Sequence, residues 1–160
     1  AWEGGLSPGV GSHGLSGKDA FKVLREGGFN RPSWVEELGE DARECPLVAA
    51  CRDGDTEAVL LLMAAGCGLE ERIKGKTAVH YAAGKGHMDI VGALAQAGAE
   101  IDAKDEDGDT PLLFAASYGN VDTVRCLVEN GANKEAATTN GWTPLLIAAL
   151  KGHVDTVRYL

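Results

Sequence analysis

The sequence predicts an all-α solenoid of stacked helix–turn–helix pairs whose connections are β-hairpin or loop tips. Three observations lead to this fold class. A period of 33 residues separates Gly75 from Gly108 and Gly108 from Gly141. The copies that begin at Gly75 and Gly108 are identical at 11 of 33 aligned positions, and the copy that begins at Gly141 matches the second at 14 of 20. The same helix start and stop signals recur in each copy, as expected of a repeat array.

Each copy contains the signals of two short helices. Thr110 is a good N-cap, and Pro111 suits the first helical position because its missing N–H would be unpaired there. Gly119 closes the turn between the helices. Asp122 opens the second helix, where a negative charge favours the positive end of the helix dipole. Gly131 supplies the C-terminal stop. Helices this short are marginal alone, so their stability must come from stacking on neighbouring repeats.

The predicted repeats cover residues 45–74, 75–107, 108–140 and 141–160. The first copy is the most divergent. When Ala49 and Ala50 are aligned with the alanine pairs of the other copies, this copy has one extra residue before Gly54 and one fewer after Gly66. We assign the extra residue to Asp53, in the turn between the two helices. The last copy stops within a second helix and lacks its closing glycine, so we expect further repeats beyond it.

The region before the repeats is predicted in two parts. Residues 1–17 are rich in glycine and poor in residues that could pack, so we expect disorder there. Residues 18–44 are expected to form a helical N-terminal cap followed by an irregular link. Within them, residues 19–28 align with residues 122–131 and would form a cap that resembles a second helix. An unrelated short amphipathic helix is the alternative.

Composition limits the function classes. The net charge of −9 argues against nucleic acid and anionic membranes as partners, since phosphate binding needs clustered Lys and Arg. The longest apolar run, residues 59–65, is too short for membrane insertion. The four cysteines form no CxxC pair, which favours reduced thiols, although their even number leaves a disulfide scaffold as an alternative. We expect a monomer in the cytoplasm, with the nucleus as the alternative compartment.

The recurring pattern G-x-T-P-L-x-x-A-A-x-x-G-x-x-D-x-V-x-x-L, followed by Gly-Ala, resembles the ankyrin repeat. The resemblance covers residues 45–160 and, more loosely, residues 19–28. It implies a scaffold that binds partner proteins, whose identity varies widely in the family. The family's Thr-Pro-Leu-His is nowhere intact. The copy that contains His80 has Ala78 in place of the proline, and the two copies that keep the proline have Leu113 and Leu146 in place of the histidine.

No set of residues predicts catalysis. His80, His87 and His153 are interpreted as turn-stabilising residues, because the last two occupy equivalent positions two repeats apart. Cys67 and Cys126 stand in columns filled by packing residues. An acidic tip could hold calcium, but calcium needs more ligands and a fixed loop, so we favour a solvated tip for Asp105, Glu106, Asp107 and Asp109. We therefore predict no enzymatic activity, no cofactor and no metal.

The alignment columns whose residues differ between the repeats predict the binding surface, because residues that hold the repeats together should recur in each copy. In the family, partners lie in the concave groove formed by the tips and the first helices. The variable tip columns hold Ile73, Lys74 and Lys76, then Glu106, Asp107 and Asp109, then Thr139, Asn140 and Trp142. The matching columns of the first helices hold Arg52, Lys85, Tyr118 and Lys151.

The predicted groove changes along its length from basic to acidic to polar with an exposed indole. Tyr118 and Trp142 are the predicted energetic anchors, because large aromatic side chains are enriched at binding hot spots. The favoured function is therefore a protein-interaction scaffold. The alternative is a regulatory or substrate-recruiting segment of a larger protein, such as a kinase, a ubiquitin ligase, an acyltransferase or a channel.

Overall fold

The computed structural model describes residues 17–26 and 45–160. The predictions for residues 1–16 and 27–44 fall outside this part of the chain. The described residues form nine helices, and after the first they follow one another as four pairs. The helices are α1 (Gly17–Glu26), α2 (Pro46–Asp53), α3 (Thr56–Ala64), α4 (Ala78–Lys85), α5 (Met88–Gln96), α6 (Pro111–Tyr118), α7 (Val121–Glu129), α8 (Pro144–Lys151) and α9 (Val154–Tyr159).

The helix boundaries follow the predicted signals. The Thr110 hydroxyl accepts a hydrogen bond from the backbone N–H of Leu113 and so caps α6. Thr143 caps α8 in the same way. After the second helices, Gly98 and Gly131 adopt φ values of 90° and 93°, a conformation that favours glycine. The predicted caps and stops are therefore confirmed.

The helix pairs stack into two rows. The first helices α2, α4, α6 and α8 pack in sequence, and the second helices α3, α5, α7 and α9 form the row behind them. Helix α1 packs against α3 and α2, and its Leu24 joins the core. A second helix of a preceding repeat would pack against α3 in the same way. The shared core consists mainly of Ala, Val and Leu side chains, which let the short helices approach closely.

The structure corrects the register of the first repeat. Asp53 is the last residue of α2, which has eight residues like α4, rather than an insertion in the turn. Gly54 and Gly86 both end their helices in the left-handed conformation, with φ values of 78° and 79°. The one difference in length lies in the tip: 20 residues separate Gly66 from Gly86 (86 − 66), against 21 in the next repeat (119 − 98).

The connections between repeats are turns within the described chain, not paired strands. The first tip contains one isolated antiparallel bridge, between Ile73 and Lys76. The all-α solenoid is therefore confirmed, and its tips are loops rather than extended β-hairpins. Among residues 17–26 and 45–160, no helix has the length and apolar character needed to cross a membrane.

Candidate protein-binding surface

The first tip is a tight turn that presents a lysine. Lys74 and Gly75 have φ values of 52° and 75°, as a type I′ turn requires at its two central residues. The Arg72 guanidinium donates hydrogen bonds to the carbonyls of Gly75, at 3.0 Å, and Lys104, at 2.7 Å. Arg72 therefore ties the first tip to the second and holds Lys74 at the outer edge of the surface.

The second tip is organised by one buried carboxylate. Asp105 Oδ1 accepts the backbone N–H groups of Asp107, at 3.0 Å, and Asp109, at 2.9 Å. Asp105 Oδ2 lies 3.3 Å from Lys76 Nζ. The carboxylates of Asp105, Asp107 and Asp109 lie close together, and burial raises the pKa of Asp109, with Asp105 and Asp107 adding to the rise. Asp105 therefore organises the turn through Oδ1, while Oδ2 faces the Lys76 ammonium.

The third tip repeats this geometry with a hydroxyl in place of the carboxylate. Thr138 Oγ1 accepts the backbone N–H groups of Asn140, at 3.2 Å, and Trp142, at 3.1 Å. The Thr138 N–H donates in turn to the Trp142 carbonyl at 3.0 Å. Thr139 donates to the Asp107 carbonyl, which links this tip to the previous one. The backbone of Trp142 is thus fixed while 41% of the residue stays exposed.

One column of polar side chains, at the N-caps of the second helices, joins successive repeats. His87 Nε2 donates to the Arg52 carbonyl at 3.3 Å, and His153 Nε2 donates to the Ser117 carbonyl at 3.0 Å. In the repeat between them, the Asn120 amide donates to the carbonyls at the end of α4. Each donor bonds a carbonyl in the last turn of a first helix, where the supply of intrahelical N–H partners ends. The interpretation of these histidines as structural is supported by these contacts.

His80 is buried beneath the groove and connects two repeats. Its Nδ1 accepts the Thr77 backbone N–H at 3.1 Å, so the proton resides on Nε2, which donates to the Asp109 carbonyl at 3.0 Å. Its ring meets Phe114 edge-on, with the centroids 5.7 Å apart. Burial lowers the pKa of His80, although the Asp109 hydrogen bond and the Asp105 charge oppose this. The neutral imidazole is therefore part of the scaffold.

The first helices and the first tip surround an open groove of about 680 Å³. Its wall combines cations with aromatic rings and contains no carboxylate. Tyr118 is 64% exposed at its edge. The lining residues are Arg52, Lys74, Lys76, His80, Tyr81, Gly84, Lys85, Phe114, Tyr118 and Asn120. We call this site the basic–aromatic groove.

Five of the predicted binding residues line the basic–aromatic groove: Arg52, Lys74, Lys76, Lys85 and Tyr118. A smaller depression of about 120 Å³ lies on the far side of the Phe114 and Tyr118 rings and includes Asp109. The other predicted residues lie outside both depressions, along the tips and on α8. These are Ile73, Glu106, Asp107, Thr139, Asn140, Trp142 and Lys151.

Two of the predicted residues differ from their expected roles. The repeat alignment predicts that Arg52 occupies the same column as Lys85, and this prediction is wrong by one residue. The helix register places Asp53 in the column of Lys85 and Arg52 in the column of Gly84. Lys76 does not present a free charge to the groove. Its ammonium pairs with the buried Asp105 and lies 5.3 Å from the centre of the Phe114 ring.

Sequence reasoning missed five residues of the groove lining: His80, Tyr81, Gly84, Phe114 and Asn120. Tyr81 and Phe114 occupy one column of the first helices, which reads as scaffold because both are large and apolar. The Tyr81 hydroxyl donates to the Ile73 carbonyl at 3.0 Å, so the ring is held against the first tip. The sequence did contain a signal for these two residues, because their column varies between repeats and holds Ile147 in the last one.

The thiols are poorly suited to nucleophilic chemistry. All four cysteines are free. Burial, followed by the neighbouring Cys45 and Glu71, raises the pKa of Cys67 to about 12. Burial also raises the pKa of Cys51 and, with Glu129 adding to it, that of Cys126. Since the thiolate is the reactive form, the raised pKa values make these thiols weak nucleophiles.

The fold and this surface define a helical repeat scaffold, and comparison with known proteins identifies its family. The family model described as ankyrin repeats (3 copies) matches residues 16–105 and 97–160. The chain belongs to the ankyrin repeat family, whose repeats are in general protein–protein interaction modules. The predicted resemblance is thereby confirmed.

Individual relatives match only parts of the chain. Mouse ankyrin repeat and SOCS box protein 16 is 31% identical over 100 residues, which cover 59% of this chain and 22% of the relative. Ankyrin repeat protein L271 of Acanthamoeba polyphaga mimivirus is 34% identical over 79 residues, which cover 46% of this chain and 11% of the relative. The chain therefore spans less than a quarter of the length of these two relatives.

Proposed function

We propose that the chain is a protein-interaction scaffold that binds a partner protein through the concave surface formed by its tips and first helices. The observation that carries this proposal is the basic–aromatic groove, which brings five separately predicted residues together around the partly buried rings of Tyr81 and Phe114. Aromatic side chains at the edge of a partly apolar groove are typical of binding hot spots. Catalysis has no comparable support, because the buried thiols and His80 are committed to packing and hydrogen bonding.

The test removes one exposed aromatic side chain at a time. We expect Tyr118→Ala to weaken binding of a purified partner by about 30-fold, since a hot-spot truncation costs about 2 kcal/mol or more. Trp142→Ala tests whether the surface extends to the third tip. Leu60→Ala is the matched control, because Leu60 is 51% exposed but lies on a second helix. Calorimetric titration with a partner isolated by affinity capture measures all three variants.

Two results would contradict this proposal. Unchanged affinity in both aromatic variants would remove the concave surface from the interaction. A loss confined to Leu60→Ala would instead move the binding surface to the second helices.

A second candidate function is favoured by the mouse relative. There the matched segment is about a fifth of a longer protein whose name includes a SOCS box. In this candidate, the repeats recruit a substrate or regulator for another domain of the same longer chain, such as a kinase, ubiquitin ligase, acyltransferase or channel. Expression of the whole reading frame distinguishes the two candidates: Tyr118→Ala would then reduce the activity of the attached domain toward its partner but not toward a small substrate.

A further inference from the structure

The floor of the basic–aromatic groove drops at Gly84, a residue within α4. A Cβ atom at this position would lie 3.6 Å from Phe114 Cδ1 and 3.7 Å from Tyr118 Cε2, so the two rings stand directly beside an empty side-chain position. The same column holds Arg52 and Ser117 in the adjacent repeats. The absence of a side chain at 84 therefore leaves a recess in α4 beside the two aromatic rings of α6.

The rim of this recess is cationic although the whole chain carries a net charge of −9. Arg52, Lys74, Lys76 and Lys85 all line the groove. Lys76 is compensated by Asp105. Within the part of the chain that the structure describes, no carboxylate lies within ion-pair distance of the Lys74 or Lys85 ammonium. These two lysines therefore leave the groove with uncompensated positive charge.

We propose that the basic–aromatic groove binds an extended acidic segment of a partner protein. An apolar or aromatic side chain of the segment occupies the recess at Gly84 against Phe114 and Tyr118. Aspartate or glutamate side chains on either side of it pair with Lys74 and Lys85. This inference rests on the proposed function and adds the chemistry of the partner to it. Apolar burial supplies affinity, and the flanking charges supply orientation and selectivity.

The charge pattern beyond the groove favours an acidic peptide over a nucleic acid. The second tip exposes Glu106 and Asp107 next to the cationic rim. A nucleic acid carries a charge at every phosphate and would bring that charge onto these carboxylates as it continued along the surface. A peptide can limit its acidic residues to the stretch that faces the lysines. The surface is therefore complementary in charge to a short acidic segment of a peptide, but not to a polyanion that continues past the lysines.

A peptide-display selection on the full chain tests the proposal, followed by fluorescence polarisation with the selected peptides. We expect the selected sequences to share an aromatic or large apolar residue flanked by Asp or Glu. Lys74→Glu combined with Lys85→Glu should weaken binding of these peptides about tenfold, since it replaces two surface ion pairs by repulsion between like charges. Raising the salt concentration should weaken them as well. Lys22→Glu combined with Lys104→Glu, two exposed lysines outside the groove, is the charge-matched control and should change affinity less than twofold.

Gly84→Leu provides the variant that blocks the recess without removing a contact. Replacing a helical glycine favours the helix, and a Cβ at 84 meets its neighbours at ordinary contact distances. We therefore expect an unchanged or higher melting temperature together with at least about tenfold weaker peptide binding, as for loss of one hot-spot side chain. A loss of binding in this variant cannot be attributed to unfolding if the melting temperature holds.

The outcomes separate the partner chemistry from the proposed function. Selected peptides that lack acidic residues but still lose affinity in Gly84→Leu would overturn the acidic partner and leave the groove as the binding surface. Selected peptides that bind Gly84→Leu and Tyr118→Ala normally would overturn both. Failure to select any peptide, or tighter binding of a single-stranded oligonucleotide than of the selected peptides, would overturn the acidic segment as the ligand.

Discussion

The third and fourth repeats place the same residues in different surroundings. Both begin their first helix with Thr-Pro-Leu-Leu, yet Leu112 and Leu113 are at most 1% exposed, whereas Leu145 and Leu146 are 43% and 49% exposed. Helix α6 packs between α4 and α8, while α8 has one first-helix neighbour in the described chain. In this fold, a leucine is therefore buried by the adjacent repeat and not by its own helix, as expected for a solenoid held together by nearest-neighbour interfaces.

The largest expected effect comes from truncating the same leucine in the two repeats. Leu112→Ala should lower the free energy of unfolding by about 2–5 kcal/mol, because it leaves a cavity in a close-packed interface. Leu145→Ala in the same column should cost about 1 kcal/mol or less, because its side chain is already half exposed. Urea denaturation followed by circular dichroism measures both variants. Equal losses of unfolding free energy in the two variants would show that burial by the adjacent repeat does not determine what each leucine contributes to stability.

The tips offer a second comparison, with a smaller expected effect. Asp105→Ala removes the acceptor of two backbone N–H groups and the partner of Lys76, and should cost about 2–3 kcal/mol. Thr138→Ala removes the equivalent but more exposed hydroxyl and should cost about 1 kcal/mol. Asp107→Ala, an exposed neighbour that contributes no side-chain bond to the turn, is the control and should stay within about 0.5 kcal/mol. If Thr138→Ala lowered the free energy of unfolding as much as Asp105→Ala, burial of the side chain would not explain the difference between the two tips.

The smallest expected effect is a pH dependence that arises in the second repeat at His80. Burial lowers the pKa of this histidine in the folded chain, so the unfolded chain binds more protons as the pH falls. Stability should therefore be complete above the unfolded pKa of about 6.5 and decrease as the pH falls below it. His80→Leu, which introduces the residue found in this column at Leu113 and Leu146, should remove that component. The measurement is the difference in unfolding free energy between wild type and variant from pH 7.5 to 5.0, and a difference that does not vary with pH would refute it.

Most of the fold was predictable because its signals are local. Thr110 and Thr143 cap their helices, and Gly131 ends the helix before it, through contacts within a few residues. The first repeat was misaligned because Ala49, Ala50 and Cys51 form a run of small residues that fits the alanine columns in two registers. Gly54 decides between them, because it ends α2 in the left-handed conformation as Gly119 ends α6. An alignment on Pro46 and Gly54, instead of on the alanine pair, gives the observed register.

The binding surface was less predictable than the fold. Variable columns located the cationic and aromatic residues, but they did not show that Lys76 pairs with Asp105, a residue 29 positions away (105 − 76). They also missed Gly84, since an absent side chain contributes nothing to a list of candidate contacts. Charge compensation and empty space both depend on which repeats become neighbours, and a column-by-column reading treats each position separately.

The bridges from His87, Asn120 and His153 also have a mechanical consequence. Each of them joins one repeat only to the repeat before it, through carbonyls at the end of a first helix. Under a stretching force applied to its two ends, the array should therefore release repeats one after another, each freeing about 33 residues of chain. A partner held across α4 and α6 would lose its binding surface as soon as those two repeats separated, so tension would govern its release.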